Sequence, residues 1–373
     1  ERTGLGGIKR IMAANDVKMS DTYKTNSRLQ QSCIGNALKS RVLADRLLKY
    51  ISGNRLHFDS SERFVIAEYG SADGSNSVDI LRQLIQTVRT QSATKEIEIV
   101  CNDLPSANFA RLFENLSTLR REFDYVYVGS FGGSFYNQIF PNKSVDFGFS
   151  FMSVHWLQKA PCFIGTSFFS NLDLEDLDQS ACKIWTEQAR NDWRTFLECR
   201  QKELKPGAAF YTATIGCRDE PQESEHAITK FNKIMMLSVV RVLEQYDCGE
   251  FKHLFPLPVM FRQKKQLSEP FQEDCFEHLR LELCDEYTME APTAFNLDDP
   301  HAFSELVKRM KAGTRAVSGP YFRSKLETIE KIPKKEIEDI LEKIYDFTFE
   351  AAQSTLADYG AVVYSEVMLS RNQ

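Results

Sequence analysis

The sequence predicts an α/β fold, with a mainly parallel Rossmann-like sheet and a helical cap inserted before the last strands. Three observations support this prediction. Short apolar runs alternate with helical stretches from residue 63 to residue 217, an order that favours parallel strands joined by right-handed crossovers. The first apolar run leads through two glycines into a helix. From residue 218 to about residue 325, helical periodicity replaces the alternation.

The start of the chain is predicted to be a flexible lead, residues 1–20, because no strand precedes its Gly-Leu-Gly-Gly run. A polar, cap-rich stretch then opens a helix that runs from residue 21 to about residue 51, ahead of the first strand. We expect this helix to lie over the ligand edge of the sheet. The predicted core therefore comprises residues 21–217 and 326–373, and the predicted cap is mainly helical and comprises residues 218–325.

The first strand, residues 64–67, leads into a turn that carries Glu68, Gly70 and Gly74. Two glycines four positions apart indicate a sharp turn, at which the backbone lets another group approach closely. A strand–turn–helix unit presents backbone N–H groups at the carboxyl end of a strand, where open α/β sheets bind ligands. A plain turn between a strand and a helix has the same appearance, so both interpretations stay open at this point.

A helix at residues 78–90, capped by Asn76 or Ser77, leads to the second strand at residues 96–101. Asp103 follows this strand, about 30 positions after the glycine turn, where nucleotide-binding sheets place the acid that binds ribose. The alternative is a turn-forming Asx residue ahead of a proline. The remaining predicted elements are a helix at 107–123, strands at 124–129 and 144–151, a helix at 181–204, a strand at 209–215, a helix at 334–355 and a last strand at 360–369.

Composition excludes several functional classes. The chain has 373 residues and a formal net charge of −6, and its tightest basic group (Arg262, Lys264 and Lys265) is small and expected to be a solvated face. This argues against a nucleic-acid surface, which needs clustered cations. Nine scattered cysteines, without a C-x-x-C pair or a metal-ligand spacing to histidine, predict a reduced cytoplasmic compartment and no metal site. No apolar stretch is long enough for a transmembrane helix, and the N-terminal residues lack a signal-peptide core.

Several motifs in one order resemble the SABATH methyltransferases, a family that methylates small carboxylic acids and, in some members, ring nitrogens. The resemblance covers residues 20–320, and a Lys-Pro-Gly lead-in before a strand is also common in methyltransferase sheets. The matching residues are Tyr23, Asn26, Ser27 and Gln30; Glu68 to Ser77; Asn102-Asp103-Leu104-Pro105; Gly133-Ser134-Phe135-Tyr136 with Phe140-Pro141; Ser153-Val154-His155-Trp156-Leu157; Phe255 with Pro258; and Arg315-Ala316-Val317-Ser318 with Pro320.

The resemblance implies a class I methyltransferase sheet, S-adenosylmethionine (SAM) as methyl donor, S-adenosylhomocysteine (SAH) as product, and a homodimer. The residues it implies for donor binding are Ser27, Glu68, Gly70, Asn76, Asp103, Leu104, Ser134 and Phe135. It implies Gln30, Trp156 and His155 as the catalytic group that holds the acceptor. Tyr23 and Met152 are further candidates for the acceptor pocket, although core packing is the default for a methionine.

The chain departs from the family pattern at its glycine turn. The family usually has Asp where Glu68 stands, and Cys-Ser-Ser-Gly-Pro-Asn where residues 71–76 read Ser-Ala-Asp-Gly-Ser-Asn. The extra acid, Asp73, and the missing proline indicate a distant branch. Donor binding is compatible with these changes, but the identity of the acceptor does not transfer.

Methyl transfer to a carboxylate is an in-line displacement on a group that titrates near about 4 and is already ionised. It needs alignment rather than a base or a metal, and alignment contributes roughly 7–11 kcal/mol in favourable cases. Gln30 offers two N–H donors and Trp156 one, which suits two acceptor oxygens. Asp103 suits the ribose hydroxyls, Glu68 the cationic end of the donor, and Phe135 the adenine face.

The leading hypothesis is therefore a carboxyl O-methyltransferase that acts on a small, largely apolar acid. A methyltransferase for a purine-like or other nitrogen acceptor remains open, because that acceptor benefits from a base such as His155. A non-catalytic donor-binding protein is disfavoured by the retained Asp103, Gln30 and Trp156. A nicotinamide dehydrogenase is disfavoured because the turn lacks G-x-G-x-x-G and Asp73 would repel a pyrophosphate.

Overall fold

A mixed sheet organises the computed structural model, which describes residues 28–162, 179–219, 223–273, 275–290, 300–353 and 361–372. Within these ranges, eight strands form the sheet in the order β3-β2-β1-β4-β5-β8-β7, and β6 pairs with β5. The strands are β1 (Arg63–Tyr69), β2 (Glu96–Asp103), β3 (Val126–Gly132), β4 (Val145–Phe151), β5 (Leu204–Cys217), β6 (Arg262–Gln263), β7 (Leu279–Glu290) and β8 (Ala361–Arg371). The predicted lead, together with Tyr23 and Ser27, lies outside the described residues.

The parallel part of the sheet places the carboxyl ends of five strands, β1 to β5, side by side. β1 pairs in parallel with β2 and β4, β2 with β3, and β4 with β5. β1 is buried at every position after Arg63, and β4 at every position, as expected for parallel strands covered on both faces. β8 runs antiparallel between β5 and β7. The α/β, Rossmann-like sheet predicted from the sequence is confirmed.

Helices cover both faces of the sheet. They are α1 (Arg28–Ser40), α2 (Val42–Gly53), α3 (Arg55–Ser60), α4 (Val78–Gln91), α5 (Phe109–Glu122), α6 (Gln179–Glu203), α7 (Glu223–Gln245), α8 (Lys264–Gln272), α9 (Pro300–Leu326) and α10 (Ile337–Ala351). Side chains of β1 show the two layers, because alternate positions of a strand face opposite sides. Phe64 packs against Tyr50 and Phe58 of α2 and α3, whereas Tyr69 packs against Phe196 of α6.

The N-terminal helix is broken, and this corrects the expectation of one helix that continues to about residue 51. Arg41 adopts a left-handed conformation (φ 57°) between α1 and α2. A left-handed residue ends a helix because the next turn cannot continue in register. After the break, α2 packs on β5 and α4, while α1 contacts α2, α4 and β4.

The cap differs from its predicted boundaries. α7 and α10 share a hydrophobic cluster that is separate from the sheet core, with Val239, Phe322, Ile340 and Tyr345 among its members. α10, which we assigned to the core, therefore packs with the cap. Conversely, β7 lies within residues 218–325 but pairs with β8 along its length. None of the helices in the described ranges combines the length and apolarity needed to cross a lipid bilayer.

Candidate active site

The glycine turn after β1 joins three strand ends. The amides of Gly70 and Ser71 donate to the carbonyl of Asn102 at 2.8 and 3.1 Å, which ties the turn to the end of β2. Gly70 has φ +83°, and a Cβ there would lie 2.2 Å from Ser153 Oγ, just beyond β4. Position 70 therefore requires glycine because a side chain there would collide with the segment after β4. The turn and this segment are fixed against each other at the carboxyl edge of the sheet.

Asp103 sits at this edge with both carboxylate oxygens oriented by backbone amides. The amides of Ala72 and Leu104 donate to its two oxygens, each at 2.7 Å. Burial raises the pKa of Asp103, and these two hydrogen bonds oppose the rise. A carboxylate has about four acceptor positions, so roughly two remain for hydroxyl groups of a ligand. The turn-forming role and the ligand-binding role, which the sequence left as alternatives, are therefore compatible.

Glu68 is buried and faces the start of α4. Its Oε1 accepts from Ser77 Oγ at 2.6 Å, and 4% of the residue is exposed. Burial raises the pKa of Glu68 to about 7, while the bond from Ser77 lowers it. The Ser77 hydroxyl is thus used by Glu68 and makes no capping hydrogen bond to α4. Glu68 therefore lies directly beside the glycine turn, and its pKa of about 7 is close to neutral pH.

Asp73, the acid that distinguishes this turn, is occupied within the turn itself. Its Oδ1 accepts from the Ser75 amide at 3.0 Å and from Ser75 Oγ at 2.6 Å. Its Oδ2 lies 3.7 Å from Nε of Arg111 on α5. Asp73 therefore makes hydrogen bonds within the turn and connects the turn to α5. Asn76, which follows, is half-buried.

The loop after β3 carries Ser134 and Phe135. Both are half-buried, and the Phe135 ring packs against Tyr136 and Phe196 with centroids 4.8 and 5.7 Å apart. The Gly133 amide donates to the carbonyl of Asp103 at 2.8 Å. The loop after β3 is therefore held beside the end of β2, and Phe135 Cε1 lies 3.8 Å from the position that a Cβ at Gly70 would take.

A buried ion pair, which the sequence analysis missed, holds this loop from α6. Arg200 and Glu203 are both fully buried. Arg200 donates to the carbonyls of Phe135 and Asn137 at 3.0 and 3.2 Å, and Glu203 Oε1 accepts from the Phe140 amide at 3.1 Å. The sequence does contain a signal for this pair. Arg200 and Glu203 are three positions apart in a predicted helix, a spacing at which two side chains lie on the same face and can form an ion pair.

His155 lies in the segment after β4 and is uncharged. It is 6% exposed, and its Nδ1 is 2.8 Å from Thr214 Oγ1 on β5. Burial, together with the nearby charge of Arg262, lowers the pKa of His155 to about 3. Met152, at the start of the segment, is buried and has φ +53°. Its amide donates to the carbonyl of Ala213 at 2.8 Å, so β5 fixes both residues.

Trp156 is held by its backbone, and its indole group remains available. It forms an isolated antiparallel bridge with Val259, and its carbonyl accepts from Tyr136 Oη at 2.5 Å. The ring is half-buried and lies 5.8 Å from the His155 ring, centroid to centroid. Among the described residues, the indole N–H finds no hydrogen-bond acceptor. The site therefore presents one oriented N–H donor beside a neutral imidazole.

Gln30 lies at the start of α1 and is half-buried. Its amide makes no hydrogen bond within the described part of the chain. One helical turn further, Cys33 Sγ is 3.6 Å from Tyr287 Oη on β7. α1 thus contacts both β4 and β7, with Gln30 in its first turn. Tyr23 and Ser27, expected beside it, lie outside the described residues.

Comparison with known proteins identifies one family. Residues 10–364 match the model of the SAM dependent carboxyl methyltransferase family. A probable jasmonic acid carboxyl methyltransferase 2 of Theobroma cacao is 23% identical over 299 residues, 74% of each chain. Salicylate carboxymethyltransferase of Clarkia breweri is 26% identical over 224 residues, 58% of this chain and 60% of the relative. A solved structure of loganic acid methyltransferase with SAH superposes with a TM-score of 0.76 at 19% identity, covering 96% of this chain and 99% of that one.

Proposed function

The chain belongs to the SAM-dependent carboxyl methyltransferases and uses SAM as its methyl donor, and we propose that its acceptor is the carboxylate of a small, largely apolar acid. The observation that carries this proposal is the indole N–H of Trp156, which finds no acceptor among the described residues, beside a buried, neutral His155. Such a site orients an acceptor by hydrogen bonding. It offers little help to an acceptor that must first lose a proton.

The lowered pKa of His155 separates the two methylation hypotheses. A histidine whose pKa lies near about 3 is a weak base at neutral pH, because general-base efficiency is greatest when the pKa is near the working pH. A carboxylic acid is already ionised there, so it needs no base. A neutral nitrogen acceptor would gain little from this imidazole. We therefore favour O-methylation over the nitrogen-acceptor alternative.

The donor site is proposed at the edge formed by the turns after β1, β2 and β3. When bound, SAM supplies the electrophilic methyl group. Asp103 has the free acceptor positions that a ribose diol needs, and its backbone partners hold it in place. Phe135 offers a face for adenine, and Glu68 a carboxyl group for the ammonium of the donor. Gly70 leaves room for Ser153, which fixes the turn against the segment after β4.

Further donor contacts are proposed from the motif positions alone, namely Ser27, Asn76, Leu104 and Ser134. For the acceptor, Gln30 and Trp156 would orient the two carboxylate oxygens, while Tyr23, Met152 and His155 would shape the pocket around it. Orientation is the main requirement of an in-line displacement. The protein's contribution is therefore to align the two partners and to exclude water.

A screen with radiolabelled SAM tests the proposal directly. The panel contains aliphatic, aromatic and terpenoid acids, together with purines, and we expect label in a base-labile methyl ester of at least one acid. Trp156→Phe should lower kcat/KM for that acid about 10- to 100-fold, as expected for a hydrogen bond to a charged group, and leave SAH affinity unchanged. Trp193→Phe is the matched control, because its indole N–H donates to the carbonyl of Leu267 at 3.0 Å.

If the radiolabel appears only in purines, the acceptor is a nitrogen atom and the proposed carboxylate acceptor is wrong. Equal loss of SAH affinity in Trp156→Phe would move Trp156 from the acceptor site to the donor site. If calorimetry shows binding of neither SAM nor SAH, the central claim of a SAM-dependent methyltransferase is wrong.

We also propose a cytoplasmic location and a homodimer. The nine cysteines are all free thiols, which suits a reducing compartment, and the dimer follows from the family resemblance. Light scattering after size exclusion tests the dimer, and fractionation of the source cells tests the location.

A further inference from the structure

Arg262 is a buried cation that touches the backbone of the segment after β4, which carries His155 and Trp156. It is 2% exposed, and its Nε and Nη2 donate to the carbonyl of Ala189 on α6 at 3.3 and 3.0 Å. Its Nη1 donates to the carbonyl of Val154, the residue before His155. The burial of Arg262 corrects the prediction that it forms a solvated face with Lys264 and Lys265. Only the two lysines are exposed, with 46% and 63% of their side chains accessible.

Among the residues that the structure describes, no carboxylate is in direct contact with the charge of Arg262. No Asp or Glu oxygen of the described residues lies within 4.0 Å of its guanidinium. The buried acid that senses it is Asp192 on α6. Burial raises the pKa of Asp192, and the charge of Arg262 is among the interactions that lower it. The Asp192 oxygens accept from Gln158 and Gln188 instead, at 2.8 to 2.9 Å.

The charge of Arg262 also affects two titratable groups that lie in, or are bonded to, the segment that carries Trp156. They are His155, whose pKa falls through burial and then through this charge, and Tyr136, whose hydroxyl donates to the carbonyl of Trp156. Arg262 therefore lies behind the backbone that presents Trp156. In a protein interior, where charges are poorly screened, a unit charge acts over more than one residue layer. An anion held at Trp156 would be attracted by it without touching it.

We propose that Arg262 is a positioning and specificity residue that makes the acceptor site select an anion. Its hydrogen bonds fix Val154, and its positive charge stabilises a carboxylate at Trp156. This inference rests on the proposed function, because it concerns the same acceptor. Two kinds of interaction then recognise the acceptor. The first is hydrogen bonding by Trp156 and Gln30, which orients the acceptor, and the second is the positive charge of Arg262. A neutral molecule of the same shape would gain from the first kind only.

The test compares an acid with its primary amide. The probes are benzoate with benzamide and octanoate with octanamide, together with whichever acid of the screen is methylated fastest and its amide. The acid is measured as substrate (KM) and the amide as competitive inhibitor (Ki). Arg262→Gln removes the charge and keeps N–H donors. We expect it to raise KM for the acid about tenfold, the size of a buried charge acting at a distance, and to leave Ki for the amide within about twofold.

Two further variants isolate the charge. Arg262→Lys keeps the positive charge and should restore most of the acid preference. Lys265→Gln removes an exposed positive charge nearby and should leave the acid-to-amide ratio unchanged. SAH affinity, measured by calorimetry, should be the same in all of them. If Arg262→Gln does not fold, Arg262→Met replaces it, because methionine is a flexible side chain that can fill the space of the buried arginine stem.

Equal weakening of acid and amide would overturn the inference and assign Arg262 a purely structural role. An unchanged ratio in the charge-free variant would also overturn it. If the wild-type protein methylates no acid at all, the proposed function fails and the inference falls with it. That outcome is distinct, because it appears in the wild-type screen before any variant is compared.

Discussion

Arg200 Nε lies 2.9 Å from Glu203 Oε2 at the end of α6, and neither side chain is accessible to solvent. The pair is held on several sides. The guanidinium also lies over the Tyr69 ring, 4.0 Å from its centroid, and Tyr69 Oη donates to Glu203 Oε2 at 2.7 Å. Because the same pair donates to and accepts from the loop that carries Phe135, it couples α6 and β1 to the proposed donor site.

Arg200→Met should destabilise the protein by about 3–5 kcal/mol, since removal of one partner leaves Glu203 buried without its counter-ion. The loop at Phe135 should loosen, so SAH should bind more weakly in the fraction that folds. Urea unfolding and calorimetry measure the two effects. Arg55→Met is the control, because the Arg55–Asp59 pair is exposed and should contribute less than about 1 kcal/mol. Unchanged SAH affinity would separate the pair from the donor site.

Gly70→Ala should lower stability and SAH affinity together. A left-handed residue with a Cβ costs about 1–2 kcal/mol, and here the Cβ would also clash with Ser153 Oγ, 2.2 Å away. Gly53→Ala is the control, because a Cβ there meets nothing within 4 Å, and its effect should stay below about 1 kcal/mol. Thermal unfolding and SAH calorimetry decide between them. Wild-type binding in Gly70→Ala would show that the turn tolerates the displacement of Ser153.

Because of Glu68, the stability of the folded protein should fall as the pH rises, whereas most buried acids with a lowered pKa have the opposite effect. Its pKa is raised in the folded protein from 4.5 to about 7, so its neutral form stabilises the fold below about pH 4.5 and this contribution is lost as pH rises through 7. Glu68→Gln stays neutral and avoids the loss. Each pKa unit corresponds to about 1.4 kcal/mol, so the variant should gain about 3 kcal/mol relative to wild type between pH 5 and pH 8.

Denaturant unfolding of the ligand-free protein at the two pH values measures this gain. Glu62→Gln, which removes an exposed acid close to β1, controls for the change in net charge. A difference between Glu68→Gln and wild type that stays constant with pH would mean that Glu68 is ionised throughout.

His155 should contribute no ionisation to the rate between pH 6 and pH 8. Because its pKa is lowered to about 3, the imidazole is neutral across this range, and kcat/KM for an ionised acid should be level there. The measurement is a pH profile of methyl transfer at saturating SAM. A limb near pH 6.5 that disappears in His155→Gln would instead identify His155 as a titrating group. It would also revive the nitrogen-acceptor hypothesis.

Much of the fold could be predicted because its elements are local patterns. β1, β2, β4 and β5 are apolar runs between glycine, proline and polar turns, and the helices between them show clear periodicity. β7 was missed although Leu279, Leu281 and Leu283 alternate with charged residues, a pattern that predicts a half-buried strand. The strand was not predicted because the stretches before and after it show helical periodicity, and the whole region was assigned to a helical cap. The placement of α10 on the cap depends on contacts between distant segments, which no local pattern contains.

The sequence by itself determined the family, the donor and the residues at the strand ends, because Glu68, Asp103, Phe135 and Trp156 follow local motifs in order. Only the tertiary structure decided how the charges are used. It placed Arg200 and Arg262 in the interior and left Lys265 outside, turned Asp73 toward α5, and made His155 neutral. The physical reason is that burial depends on which elements pack over a side chain. The cost and reach of a charge follow from burial, and not from its position in the chain.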